Sequence, residues 1–541
     1  MLDLSYFKPK LFILKKLIVF ILCLTSFSSQ AQKRADILIK NGKIIDGSGN
    51  SWFYGDIAIR KGKISAIGNL SFIKAKHIID AQKKVIAPGF IDVHTHIEGD
   101  EKKTPTADNF IHDGVTTVIT GNCGSSNVDI RSYFKFLDSL KLSVNVATFI
   151  GHNDVREAII GTANREPNVE ELKRMDLLVE KAMKDGAVGF STGLIYIPGT
   201  YAKTDEVISL AKAASKYHGV YTSHIRSESQ HVFEAIDEAI NVGKQANMPV
   251  QISHFKIGKP YWGQSDKTLS MVKKAREDGF EVTIDQYPYT ASSTTLNSII
   301  PSWVLANGRD SINYRINDSL IHKKIVEEMI GDMEKRQRDN FDYAVVSNFR
   351  SDTSFNGKSI SAINLLMGRK ASIPDEIETI LDLTKRGGAS MVFHSMDEAD
   401  VENIMQYPFT MIASDSGIRE FGAGVPHPRG YGSNARVLAK YVREKKVIGL
   451  EDAIRRMTSL PAQKFGFKNR GLLREGMAAD IIIFDPETVA DQSTYERPHS
   501  FSTGIQYVIV NGKLTLKQSN HTGVRNGKIL HGPSFTKQQH D

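Results

Sequence analysis

Val220-Tyr221-Thr222-Ser223-His224 is followed by Val250-Gln251-Ile252-Ser253-His254, and that in turn by Val282-Thr283-Ile284-Asp285. Each is a short, largely β-branched run ending on a side chain able to bind a metal or move a proton. The same cadence extends upstream. Val85-Ile86 leads through Phe90-Ile91 to His94, Val115 to Thr120 leads to Cys123, Val144 to Ile150 leads to His152, and Val188-Gly189-Phe190 leads to Ser191. From His94 to Asp285 the successive ends lie 29, 29, 39, 33, 30 and 31 residues apart. Helical patterns fill the intervals. Between Asn168 and Gly186, Leu172, Met175, Leu178, Val179, Ala182 and Met183 make one apolar face; Asn168 with Glu171 reads as a capping box and Gly186 as the C-terminal cap.

Repeated strand–helix units imply a parallel sheet. Reactive side chains at so many strand ends fit an α/β fold of the closed (β/α)8 TIM-type barrel, whose sites collect at those ends. Thr410 to Ser414 reads as a last strand delivering Asp415. Ala344–Ser347 and Met391–Phe393 also look extended, which makes more strands than eight. The segment 292–349 breaks the interval, and its Ile321, Ile325, Val326, Met329, Ile330 and Met333 suggest a folded insertion over the barrel mouth, either a lid or a surface excursion.

The ends of the chain match each other. Asp36 to Ile45 is strand, Asn-Gly turn, strand; Val508 to Leu514 has the same form, and Ala479 to Phe484 is a further strand. Both termini therefore combine into one small β-sandwich domain. The expected division is 1–31 signal peptide, 32–87 and 470–541 small β-domain, and 88–469 barrel.

Lys8, Lys10, Lys15 and Lys16 precede an apolar run from Leu17 to Leu24, and Ser29 and Ala31 stand at −3 and −1 of a cleavage point after Ala31. This is the pattern of a secretory signal, giving a secreted or periplasmic protein. Eight apolar residues are too few for a membrane span, which needs about 20. A lipoprotein signal at Cys23 is disfavoured by Leu22, where a small residue is wanted.

The 541 residues hold two cysteines, which excludes a disulfide scaffold and any four-cysteine metal site. Lys and Arg total 69 against 61 Asp and Glu, with no long basic block, so nothing marks a nucleic-acid partner. Cleavage after Ala31 would remove Cys23 and leave Cys123 as the single thiol.

His94-Thr95-His96 places two imidazoles on one strand face. His224, His254, Cys123 and Asp415 end other strands. Imidazole, thiolate and carboxylate gathered at the open end of one barrel are a ligand set suited to zinc.

Pro88-Gly89-Phe90-Ile91-Asp92-Val93-His94-Thr95-His96, together with Gly471-Leu472-Leu473-Arg474-Glu475-Gly476-Met477-Ala478-Ala479-Asp480, resembles the amidohydrolase superfamily. Within it the chain is similar to the D-aminoacylases, or N-acyl-D-amino-acid deacylases. The matching motifs include Gly121-Asn122-Cys123-Gly124, Gly151-His152, Ser191-Thr192-Gly193-Leu194, Tyr196-x-Pro198, Ser223-His224-Ile225-Arg226, Ser253-His254-Phe255-Lys256, Asp285-Gln286-Tyr287-Pro288-Tyr289, Ser414-Asp415 and His427-Pro428-Arg429. The resemblance runs from about Ala35 to Asp485.

It implies zinc held tightly by Cys123, His224 and His254, and a second, weaker metal position at His94 and His96 with Cys123 bridging. Asp415 is then the catalytic acid/base for a zinc-activated hydroxide, with Tyr196 beside the oxyanion. Lys256, Tyr287 and Arg429 are implied to hold the carboxylate of a small-molecule N-acyl amino acid. One departure bears on the second metal: the family often has two carboxylates directly after His-x-His, whereas Ile97 and then Glu98 stand here. His152 ends a strand and is either an orienting residue or a core histidine.

Two other readings compete. A cyclic amidase of hydantoinase or dihydroorotase type commonly bridges its metals with a carboxylated lysine on the fourth strand, and Val188-Gly189-Phe190-Ser191 offers none. A zinc-binding relative without catalysis is opposed by the full ligand set plus Asp415.

Overall fold

The computed structural model describes residues 34–536. The leader expected at 1–31, with Cys23, lies outside them. Eight parallel strands form the barrel: Phe90–Asp92, Val115–Thr120, Asn145–Thr148 continued by Ile150–Gly151, Gly189–Gly193, Val220–His224, Val250–Ile252, Val282–Gln286 and Thr410–Ile412. The third strand bridges the two halves of the ring, pairing with the second strand through Asn145–Thr148 and with the fourth through Ile150–Gly151. The first and eighth meet beyond their regular ends, where Thr95 pairs with Ser416 and the His96 amide donates to Ser416 O at 2.9 Å. Nearly every strand residue is buried, as expected of a parallel sheet covered by helices outside and filled by side chains inside. Two helices follow the third strand, His152–Ile160 and Val169–Lys184, and both bonds of the Asn168/Glu171 capping box are present at the start of the second.

The two runs that exceeded the strand count belong together. Ala344–Asn348 and Ser390–Phe393 pair antiparallel with each other, and Ser292–Thr295 adds to the other side of the second. They carry four helices, Gly308–Asn317, Ser319–Lys335, Ile360–Leu366 and Ile373–Lys385, around a hydrophobic cluster running from Leu296 to Phe393. The insertion is thus a subdomain that continues to Phe393, past the boundary expected at 349. A β-branched run does not reveal its partner, and only the antiparallel pairing separates these strands from the barrel.

The small domain draws on both termini. Nine strands form one branched sheet in which Val85–Pro88 pairs with Ala35–Ile44 on one side and Ile481–Phe484 on the other. Ile37, Ile39, Ile57, Ile59 and Ile79 share one buried cluster with Ile481, Ile483 and Ile509. Each of these isoleucines contributes about 1.5–3 kcal/mol by leaving water, and alternation places them on one face.

The last residues depart from the expected assignment of 470–541 to this domain. After Asn520–His521 the chain returns to the barrel: Gly527 N donates to Leu142 O, Leu530 N to Val146 O and Gly532 N to Gly186 O, each at 2.8 Å. Glycine permits the approach, since a Cβ on Gly532 would stand 2.2 Å from Ala187 O. Gly532→Ala is expected to destabilise the fold by roughly 1–3 kcal/mol, read as a shifted denaturant midpoint, with turnover unchanged under native conditions.

Candidate metal centre and active site

His94, His96, Cys123, His224, His254 and Asp415 all stand at or just beyond the carboxyl ends of barrel strands. Cys123 Sγ lies at the centre, 3.2 Å from His94 Nε2, 3.6 Å from His224 Nδ1 and 3.6 Å from His254 Nε2. His224 Nδ1 and His254 Nε2 are 2.9 Å apart. A tetrahedral ion with Zn–N near 2.05 Å and Zn–S near 2.3 Å asks for about 3.3 Å between nitrogens and about 3.6 Å between sulfur and nitrogen. Cys123, His224 and His254 meet that requirement within a few tenths of an ångström, so the residues fit zinc.

The electrostatics agree. Burial works against a charged imidazole at His94, yet Cys123, Asp285 and Asp415 raise its affinity for a proton well above the ordinary value. Burial likewise raises the Cys123 thiol, but His94 and the hydrogen bonds of His224 and His254 hold it well below its usual range. The pocket is built to keep positive charge among a thiolate and carboxylates, which a divalent cation supplies.

His94, His96 and Asp415 form a second group. Asp415 Oδ1 lies 3.3 Å from His96 Nε2 and 3.6 Å from His94 Nε2. Glu98, the carboxylate that follows the His-x-His, does not join them. Its Oε1 accepts from Thr120 Oγ1 at 2.7 Å and from Gly121 N at 2.9 Å, tying it to the end of the second strand.

Three residues of the site carry backbone strain. Cys123, His254 and Asp415 have φ of 53°, 34° and 49°, a left-handed conformation that costs a side-chain-bearing residue on the order of 1–3 kcal/mol. Packing around Cys123 is close: a Cβ on Gly193 would stand 2.0 Å from Cys123 O, and one on Gly124 would stand 2.2 Å from Asn153 Oδ1. The hydrogen bond from Asp415 N to His94 O at 2.9 Å locks the eighth strand to the first.

Three supporting residues complete the site. Asp285 Oδ1 accepts from the His254 amide at 2.8 Å and lies 3.4 Å from His94 Nδ1, orienting that ring with Nε2 toward the thiol. Glu228 Oε1 sits 2.9 Å from His254 Nδ1 and 2.5 Å from Lys256 Nζ. Burial would raise the Glu228 carboxyl, but Lys256 and the two imidazoles hold it well below the usual carboxylate range. Thr294, from the insertion, donates to Tyr196 Oη at 3.0 Å. The sequence marks Asp285 as a strand end and motif residue but does not mark Glu228 or Thr294, because Glu228 sits on a loop and Thr294 on a strand of the insertion, outside the barrel repeat.

The residues expected to clamp a substrate carboxylate are all present, in altered company. Arg429 Nη1 is 2.8 Å from Asp415 Oδ2, and its Nη2 donates to Ser293 O at 3.1 Å. It therefore holds Asp415 in place instead of standing free. Burial raises the Asp415 carboxyl, but Arg429 and His94 bring it well below the carboxylate range, so it is ionised at neutral pH. Lys256 is buried against Glu228 and His254, and the Tyr287 hydroxyl is buried without a hydrogen-bond partner. His152 stands apart. It pairs with Glu206 at 2.9 Å in the buried cluster that also holds Arg156, and it is a core histidine.

Two chambers open from this centre. One, of about 220 Å³, is lined by Tyr196, His224, Lys256, Tyr287 and Asp415 together with residues of the insertion. The other, of about 420 Å³, is lined by His96, Cys123, Ser125, Arg419 and Arg429. Tyr196, Ser293, Thr294 and Asp415 border both.

Comparison with known proteins agrees with this architecture. Residues 410–516 match the model of the amidohydrolase family. The chain is 34% identical to the D-aminoacylase of Alcaligenes xylosoxydans xylosoxydans and 33% identical to that organism's N-acyl-D-glutamate deacylase, in each case over 92% of this chain and 97% of the relative. Its structure resembles that of N-acyl-D-glutamate deacylase from Bordetella bronchiseptica, solved with zinc and a phosphonate mimic of the tetrahedral intermediate. The TM-score is 0.80 at 34% identity, over 92% of this chain and all of the other. The chain belongs to the D-aminoacylase family of the amidohydrolase superfamily and is a hydrolase.

Proposed function

We propose that the protein hydrolyses the amide bond of N-acyl-D-amino acids, releasing a free D-amino acid and a carboxylate. The observation that carries this reading is the tetrahedral set of Cys123, His224 and His254 with an ionised Asp415 beside it. Cys123, His224 and His254 would hold a zinc ion, which would supply Lewis acidity toward an amide carbonyl and a bound water whose pKa falls to about 7. His94 and His96 would hold a second, weaker ion with the same thiolate.

The chain's own residues do the rest. Asp415, ionised and fixed by Arg429, accepts the proton that the attacking water loses and delivers it to the departing nitrogen, which leaves poorly unprotonated. The Tyr196 hydroxyl, itself receiving a hydrogen bond from Thr294, can donate to the developing oxyanion. Lys256 and the unpartnered Tyr287 hydroxyl, both on the smaller chamber, take the α-carboxylate of the amino acid half, and the acyl half occupies the larger chamber. The named activities of the relatives support the preference for the D enantiomer. The secretory-signal pattern of the sequence at 1–31 supports action outside the cytoplasm.

The fourth strand, Gly189–Gly193, carries no lysine, so the carboxylated-lysine bridge of cyclic amidases has no counterpart here. The test is hydrolysis of paired D and L N-acetyl amino acids beside a hydantoin. The D series is expected to be cleaved at least about 100-fold faster in kcat/KM than the L series. Equal rates on both enantiomers, or turnover confined to the cyclic imide, would overturn the reading.

A further inference from the structure

The smaller chamber has a charge pattern that amide chemistry does not use. Away from the metal centre its wall carries Lys259, Arg336 and Arg338. Arg336 is neutralised by Asp332, with Nε 2.8 Å from Oδ2. Arg338 and Lys259 have no carboxylate partner among the described residues. Arg338 reaches from the insertion toward the loop after the sixth barrel strand. Its guanidinium lies 4.2 Å from the Tyr343 ring centre and 5.5 Å from that of Trp262, and Lys259 Nζ lies 4.9 Å from the same Trp262 ring. Trp262 is itself fixed by a 2.9 Å hydrogen bond from Nε1 to Ser395 O.

Two like charges on the wall of the chamber thus approach one indole behind them. One Arg338 N–H points to His394 O at 3.4 Å, and its remaining donors have no acceptor among the described residues. Burial lowers the proton affinity of this guanidinium, a cost that a bound anion relieves. Contact with the Tyr343 ring positions the guanidinium fork, whose geometry suits a carboxylate.

We infer that Arg338 and Lys259 form a subsite for an anionic side chain, so that the preferred substrates are N-acyl-D-amino acids bearing a side-chain carboxylate. This rests on the proposed deacylation: with the α-carboxylate at Lys256, the side chain extends along the chamber toward the insertion. The D-aminoacylase and the N-acyl-D-glutamate deacylase are about equally similar to this chain, so identity alone does not choose a side-chain preference.

The experiment measures kcat/KM for N-acetyl-D-glutamate, N-acetyl-D-aspartate, N-acetyl-D-glutamine and N-acetyl-D-leucine, on the zinc-loaded enzyme and on Arg338→Met and Lys259→Met. At least one acidic substrate is expected to exceed its neutral counterparts by about 10-fold or more. Arg338→Met should lose about 100-fold on that substrate and stay within about 3-fold on glutamine and leucine. Lys259→Met should show the same pattern to a smaller degree. Turnover of the neutral substrates confirms that each variant is folded. Preference for neutral side chains, or equal losses on acidic and neutral substrates in Arg338→Met, would overturn the subsite while leaving the deacylase reading intact. Failure of all four substrates with the wild-type enzyme would overturn both.

Discussion

Cys123→Ala is expected to lose tightly bound zinc and turnover together. Its sulfur is the one atom within 3.6 Å of the facing nitrogens of His94, His224 and His254. Removing it leaves two imidazoles for the first ion and takes the shared ligand from the second position. Changes to groups that merely orient a ligand cost roughly 10–100-fold in metal affinity, so loss of the central ligand should exceed that. After dialysis, metal analysis should find well under a tenth of the wild-type zinc, and kcat/KM should fall by about 10³-fold or more. The residue is buried and locked in a left-handed conformation, so circular dichroism is needed to show that the fold survives. A folded variant with full metal content would remove Cys123 from the ligand set.

Asp415→Asn separates metal binding from proton transfer. Asp415 lies outside the trio that fits zinc, and asparagine tolerates its φ of 49° better than most residues. The amide keeps the shape of the carboxylate and can still face Arg429, but it cannot accept a proton. The expected result is near-normal zinc with kcat reduced by about 10²–10⁴-fold, the range over which positioned proton transfer acts. Near-normal turnover in a zinc-loaded variant would place the proton acceptor elsewhere. Because Arg429 pairs with Asp415, a further change at Arg429 should be markedly non-additive with Asp415→Asn, a relation read by a double-mutant cycle.

Much of the site was legible along the chain because a parallel barrel turns sequence interval into spatial equivalence. A reactive residue about every thirty positions, each after a β-branched run, can only come to the same rim. The capping box at Asn168 and Glu171 was legible for a similar reason, since its two hydrogen bonds span three residues. What was not legible lies off the barrel strands. Glu228 reaches His254 from the loop after the fifth strand, and Thr294 reaches Tyr196 from the insertion.

Identity and order of the ligands were therefore determined by the sequence alone: which side chains end the strands, and that they suit zinc. Tertiary structure decided three things that order cannot express. It placed Ala344–Asn348 and Ser390–Phe393 in a separate antiparallel sheet, because a strand's partner depends on the chain that folds beside it. It set Arg429 against Asp415, a pairing that the sequence does not express, and it tied Glu98 to Thr120, away from His94, His96 and Asp415. Each is a choice among nearby partners of opposite charge or matching donors. Such choices are settled by distances of a few ångströms between residues that lie far apart in the chain, or by local backbone paths that period does not encode.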